Sequence, residues 1–441
     1  MSTAGIVSAA APRAFWAPAR ARLNRAEIII AAAAFAGLCA YAIATAPRLL
    51  EPDDYAYLAS VVALSQGHLT LSTSQYHALA ASLARSVGGF YSTSGIVQWV
   101  HLSSGRWISE KDPGYPFLAL PFQLLHVIRL APLCYGALAC VGLFLGARAW
   151  LGRYAGAAAV GLYCTSGAAL VFAWRDYMPT FTDASLIAAG TGAVLWAALA
   201  TEASSRQRSW AGLAGFAALE LATFVRYTNI IILCCAAVAV IAAWRLRKAG
   251  LPLATLCSWL ASVVVFGAGI ALFDDLVYGG PLTTGYRPGE VTFALGAIGP
   301  NLRLMPAHLL QAMPMLVLGL IALAWIILRW LILRRRGDEV GAAVRRDLWV
   351  GITLAASWLA IWGLYSAYTW TTDPTSVTVQ VVRFYLPAIG AIALLGAWLV
   401  TRIPGRAWLR GLTSATVIAA LFGVGVWSFY SMYAAFGVRL R

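Results

Sequence analysis

Glu51-Pro52-Asp53-Asp54-Tyr55-Ala56-Tyr57-Leu58 opens a polar segment that Lys111-Asp112-Pro113-Gly114-Tyr115-Pro116 closes, in a chain that otherwise runs from one apolar stretch to the next. This segment, Arg48 to Pro116, decides the reading of the fold, because once it is set outside the lipid every later loop acquires a side. Two adjacent carboxylates just past a membrane helix are costly near lipid. They therefore read either as a functional pair or as a solvated helix cap.

Composition supports the membrane setting. The 441 residues are 61% hydrophobic and 11% charged, against about 25% charge in an ordinary soluble domain, and the mean hydropathy is +0.75. The seven cysteines all lie inside apolar runs, which suggests neither a disulfide framework nor a zinc motif. The five histidines lack paired ligand spacing, and nothing resembles a phosphate-binding loop or a dinucleotide fingerprint. The expectation is an all-α polytopic membrane protein without a nucleotide-binding domain.

The net charge of +15 is a matter of orientation rather than of nucleic acid. Residues 1–25, rich in Ala and Pro and carrying Arg13, Arg20, Arg22 and Arg25, read as a disordered basic cytoplasmic tail, and 26–441 as a single transmembrane domain. The first span falls at about 26 to 46. Its end, Ala42-Ile43-Ala44-Thr45-Ala46, imitates a signal-peptidase site, but the apolar run exceeds the roughly 7 to 15 residues of a signal peptide, so a retained anchor is expected. Further apolar runs lie at 131–150, 154–173, 184–201, 210–225, 227–244, 252–273, 305–330, 349–368, 384–401 and 411–431, for about eleven spans.

The segment Tyr115 to Leu130 is apolar but short, and Pro116, Pro121, His126 and Arg129 interrupt it. Laid along the membrane surface, it makes residues 47–130 an extracytoplasmic loop with interfacial helices. Arg148, Arg206, Lys248, the Arg329 to Arg346 cluster and Arg402 then all fall inside, as the positive-inside rule requires. The polar motifs collect on the opposite face: Trp174 to Asp183, Arg226-Tyr227-Thr228-Asn229, Asp274 to Tyr286, Tyr368 to Asp373 and Arg383-Phe384-Tyr385-Leu386-Pro387. Singly, each is explained by interfacial aromatics or snorkelling arginines. Their convergence points to a site.

The ordered set of motifs resembles the GT-C superfamily of integral membrane glycosyltransferases, which take sugars from polyprenyl-phosphate donors. Asp53-Asp54-Tyr55-Ala56-Tyr57-Leu58 with Gln66-Gly67-His68-Leu69 is similar to the acidic first-loop motif of bacterial members. Lys111 to Pro116 is similar to their Lys-x-Pro-Pro-Gly-Tyr-Pro stretch, with Asp112 and a single proline as departures. Arg226 to Asn229, Gly280 to Tyr286 and Arg383 to Pro387 look like further signatures, and the resemblance covers about residues 26 to 401. The soluble C-terminal domain of several longer relatives has no counterpart before Arg441.

The resemblance implies an inverting transfer in a bacterial cytoplasmic (inner) membrane, with the active site on the extracytoplasmic face and a cell-envelope glycan, lipid or protein as acceptor. Asp53 aligns with the family's general base. Asp54 either orients it or shares a divalent cation with it, Mg or Ca being suited to two hard oxygen ligands. Lys111, one of two lysines in the chain and the one placed outside, is the leading candidate for the donor phosphate, with Arg383 and Arg226 as further clamps. Asp176, Asp183, Tyr57, Tyr115 and Tyr286 are candidates for sugar or acceptor contact. The bland readings are a surface lysine for Lys111, an interfacial anchor for Arg383 and a helix cap for Asp183.

A proton-coupled transporter is the competing class, since Glu220 sits inside an apolar span. Such transporters are built from internal repeats and broken helices, and no repeat is visible here. A non-catalytic scaffold on the same fold would make the Asp pair dispensable.

Overall fold

In a computed structural model the described residues are 25–45, 48–200, 202–245, 252–286, 289–337, 339–403 and 407–434. The tail expected over 1–25 falls outside them apart from Arg25, and so do Lys248 and Arg406. Each of the eleven apolar runs is helical. Seven helices among the described residues are long and apolar enough to cross a membrane: Arg25–Ala44, Leu130–Leu151, Thr180–Leu199, Tyr227–Arg245, Leu253–Tyr278, Leu316–Arg335 and Ala342–Ser366. The chain is a multi-pass, all-α membrane protein. Two of the runs are broken: 154–173 divides into Ala155–Cys164 and Gly167–Phe172, and 305–330 into the end of Ile298–Ala312 and the start of Leu316–Arg335. Ser166 caps the restarted helix by accepting from the Ala169 amide at 3.1 Å, and Pro314 lies within the second break.

Lipid supplies no hydrophobic force between helices, so the bundle packs through small residues that let backbones approach. A Cβ on Gly142 would lie 2.5 Å from the Ala189 carbonyl oxygen, and one on Gly192 would lie 2.2 Å from the Gly142 backbone. The helices Leu130–Leu151 and Thr180–Leu199 therefore meet backbone to backbone, and Thr180–Leu199 is buried along most of its length.

The segment between the first two long helices folds on its own small core. Pro52–Ser65 and Thr73–Ser86 are followed by a two-stranded antiparallel hairpin, Trp99–His101 with Trp107–Ser109, and by the helix Gly114–Leu124. Tyr76 stacks on Trp107 with ring centroids 4.0 Å apart, and Leu58, Leu79, Tyr91 and Trp99 close the cluster. The hairpin is an addition to the helices expected from the sequence. Gly114–Leu124 has 11 residues, about 16 Å of helix, roughly half the hydrocarbon thickness. His126 then turns the chain with φ 57°, and Arg129 donates to the Ile43 and Thr45 carbonyls at 2.9 and 2.7 Å, tying the end of the first helix to the start of Leu130–Leu151.

Candidate active site

The site is built on the N-terminus of Pro52–Ser65. Pro52 occupies the first turn, where its missing amide costs nothing, and the Asp54 carboxylate accepts from the Leu50 and Glu51 amides at 2.9 and 3.0 Å. Asp54 also takes a hydrogen bond from the Arg175 guanidinium, and Arg175 bonds Glu51 at 3.1 Å. The adjacent carboxylates consequently point to different places. Asp54 keeps 1% of its side chain exposed and braces the helix; Asp53 keeps 17% and faces a cavity.

In that cavity Asp53 has one oxygen 3.2 Å from the Lys111 ammonium and the other 2.8 Å from the Arg383 guanidinium. Each cation has a second carboxylate: Glu110 lies 3.2 Å from Lys111, and Glu51 lies 2.9 Å from Arg383. Burial pushes the Asp53 carboxyl up, but Arg383 and Lys111 together outweigh it and hold the group well below the usual carboxylate range. Burial pushes Glu110 up, with Lys111 opposing and Glu290 reinforcing.

Two glycines allow this assembly. A Cβ on Gly114 would lie 2.4 Å from the Phe224 backbone, so the turn after Lys111 presses directly on the end of Ser205–Val225. A Cβ on Gly285 would lie 2.5 Å from the Glu110 Cα; without it the loop closes and brings the Tyr286 ring within 5.0 Å of the Lys111 ammonium. The resulting cavity measures about 240 Å³, and Gln98, Glu290, Tyr368 and Trp370 are among the residues that line it with the groups already named. Arg383 lies over the Trp370 and Phe384 rings at 5.2 and 4.9 Å, which fixes the plane of its guanidinium.

The other candidates stand behind the cavity. Arg226 lies 3.7 Å from Asp183 and donates to the Arg383 carbonyl at 3.1 Å, so it holds the segment that carries Arg383. Asp183 is fully buried and accepts from Asn229. Asp112 receives the Tyr227 amide and is pushed up to about 7 by burial, which Arg226 and Lys111 oppose only in part. Tyr57 and Tyr115 are buried and meet edge to face at 5.7 Å, and Tyr115 donates to the Asp176 carbonyl. The Asp176 carboxyl is pushed up to about 6 by burial. Of the sequence candidates, Asp53, Lys111, Arg383 and Tyr286 line the cavity. Glu51, Gln98, Glu110, Arg175, Glu290 and Trp370 were not among them. Arg175 carried a signal, since an arginine beside a buried span requires acids to neutralise it.

The carboxylates of Asp53 and Asp54 turn to different partners rather than to a common point. The oxygens of Asp53 rest on Lys111 and Arg383, whereas Asp54 turns to Arg175 and the helix amides. Among the described residues no three His, Cys, Asp or Glu side chains gather as metal ligands. Glu220, buried in Ser205–Val225, accepts from Ser262 of Leu253–Tyr278 at 2.8 Å.

This arrangement of helices is the GT-C fold. It is similar to the crystal structure of ArnT from Cupriavidus metallidurans bound to undecaprenyl phosphate, with a TM-score of 0.51 and 16% identity over 89% of this chain and 63% of that one. It is also similar to the apo oligosaccharyltransferase of Archaeoglobus fulgidus, with a TM-score of 0.52 and 10% identity over 91% of this chain and 56% of that one. The chain thus spans about three-fifths of the length of the solved structures it matches. No protein-family model and no curated protein matches it.

Proposed function

We propose that this chain is a membrane glycosyltransferase that moves a sugar from a polyprenyl-phosphate donor to an acceptor hydroxyl, with inversion, on the extracytoplasmic face of a bacterial inner membrane. The observation that carries the reading is Asp53 set between Lys111 and Arg383 in a cavity of about 240 Å³. One carboxylate beside two cations is what the reaction needs. The acceptor oxygen bonds to the anomeric carbon while its proton passes to Asp53. The bond from that carbon to the phosphate oxygen breaks, the electron pair stays on the phosphate, and the phosphate goes from one negative charge to two. Lys111 and Arg383 stabilise that developing charge. Asp54 and Arg226 are positioning residues in this account: they fix Asp53 and Arg383 through the helix N-terminus and the Arg383 carbonyl.

The donor tail stays in lipid, because exposing it costs about 0.8 kcal/mol per methylene. An apolar cavity of about 420 Å³, lined by Met305, Leu309, Leu320, Leu359, Trp362 and Tyr385, begins two residues from Arg383 and supports entry from the bilayer. ArnT is bound to undecaprenyl phosphate in its own structure, which supports the same donor class here. A screen of the purified chain in lipid nanodiscs against several polyprenyl-phosphate sugars tests the reading. Release of polyprenyl phosphate that depends on an acceptor supports it; proton-driven solute uptake in vesicles that Glu220→Gln abolishes would replace it with a transporter.

A further inference from the structure

Lys111 and Arg383 are assigned above to the donor phosphate, yet in the free site both oxygens of Asp53 lie on them. A carboxylate held by two cations is a poor proton acceptor. The same cations keep second partners, Glu110 at 3.2 Å and Glu51 at 2.9 Å, and Glu51 is itself anchored by the buried Arg175 at 3.1 Å. We propose that the donor phosphate displaces Asp53 from Lys111 and Arg383, which stay tethered to Glu110 and Glu51, so that Asp53 becomes a competent base only after the donor is seated. Glu51 and Glu110 are then positioning residues for the exchange. The inference rests on the phosphate reading of the two cations.

The geometry makes the exchange local. The ammonium and the guanidinium each keep a second carboxylate at the cavity wall, Glu110 and Glu51, so only the contact with Asp53 changes. The donor must be seated before the acceptor hydroxyl can lose its proton. As the sugar transfers, negative charge leaves Asp53 for the phosphate, and the cations are already beside both. Asp53 is faced by Glu51 and Tyr57 from the cap and body of its own helix and by Gln98, Glu110 and Lys111 from the ends of the hairpin. Tyr286, Glu290, Tyr368 and Arg383 face it from the remaining loops. Its pKa in the free site is held down by Arg383 and Lys111; losing them leaves burial, which raises it. Phosphate binding therefore takes up a proton at any pH between the two values, and affinity rises as pH falls through that window.

The test is calorimetry on the full chain in nanodiscs, with the methyl ester of a short polyprenyl phosphate as probe. This diester keeps a single charge throughout, so its own titration does not intrude. At about pH 5, in two buffers of different ionisation heat, the wild type is expected to take up protons on binding, with affinity tightening by up to about tenfold per pH unit lowered. Asp53→Asn is expected to bind without uptake and with affinity flat in pH, and Glu110→Gln, whose amide oxygen still accepts from the Lys111 ammonium, to retain the uptake. Wild-type binding without proton uptake overturns the exchange and leaves the phosphate site standing. Uptake that survives Asp53→Asn but is lost in Glu110→Gln assigns the proton to Glu110 and overturns it as well. A diester that does not bind at all refutes the phosphate site itself, and the exchange with it.

Discussion

The two ends of the helix bundle carry the same kinds of charged residue and use them differently. At the end opposite the loop, Glu27 is paired with Arg148 and accepts the Gly156 amide at 3.2 Å, while Asp347 accepts from the Trp150 indole and from Arg402, both at 3.0 Å. Both carboxylates close on partners from neighbouring helices, and neither lines the cavity of about 480 Å³ that opens at this end beside Arg153, Tyr154 and Thr401. At the loop end, Asp54 and Arg175 close in the same manner and Glu51 is shared between Arg175 and Arg383, but Asp53, Lys111 and Arg383 remain at a cavity wall. A buried ion pair is by itself weak evidence of function or of net stability. What separates a brace from a site is whether the pair faces space that a ligand can fill.

The largest expected effect falls on the brace. Arg175→Met takes the buried guanidinium from Glu51 and Asp54, leaving Glu51 with Arg383 and Asp54 with backbone amides alone, and the protein should lose about 3 kcal/mol of stability. Thermal unfolding in detergent checks it. An unchanged midpoint would break the distinction drawn between Asp54 and Asp53.

The substitution at the cavity wall should behave in the opposite way. Lys111→Ala should weaken donor binding by about 1.5 to 3 kcal/mol, through loss of a charge-assisted contact, while the unfolding midpoint holds. Equilibrium binding of a polyprenyl-phosphate sugar reads it. A lowered midpoint with unchanged binding would move Lys111 into the brace.

Much of this contrast was legible in the sequence, and its limits are physical. Apolar length gave the helical runs, because a span has to satisfy its own backbone. Motif order brought out Asp53, Lys111 and Arg383. Glu51 escaped notice because its partners Arg175 and Arg383 lie 124 and 332 residues away, and no local pattern encodes such pairing. Asp54 was grouped with Asp53 in both readings of the pair, functional or helix cap; that Asp54 alone turns back to the Leu50 and Glu51 amides depends on the position of Pro52 at the helix start. The hairpin strands, three residues each, are too short to show an alternation.

At the opposite end a smaller effect is expected. Glu27→Gln should lower stability by about 1.5 to 2 kcal/mol, since the Arg148 head group is partly exposed and regains water, and should leave donor affinity unchanged. Parallel unfolding and binding measurements sharpen the comparison: a change in donor affinity would couple the two ends. The smallest effect belongs to Glu220→Gln, which keeps its hydrogen bond to Ser262, and sugar transfer should stay within a few-fold of wild type.

The central claim is that Asp53 accepts the proton of the attacking hydroxyl, and turnover of Asp53→Asn beside wild type, with donor binding measured on the same nanodisc samples, tests it most directly. The amide preserves shape and removes basicity, so turnover should fall by at least about 10²-fold while the donor still binds. Turnover at the wild-type rate by a folded Asp53→Asn protein would contradict the account.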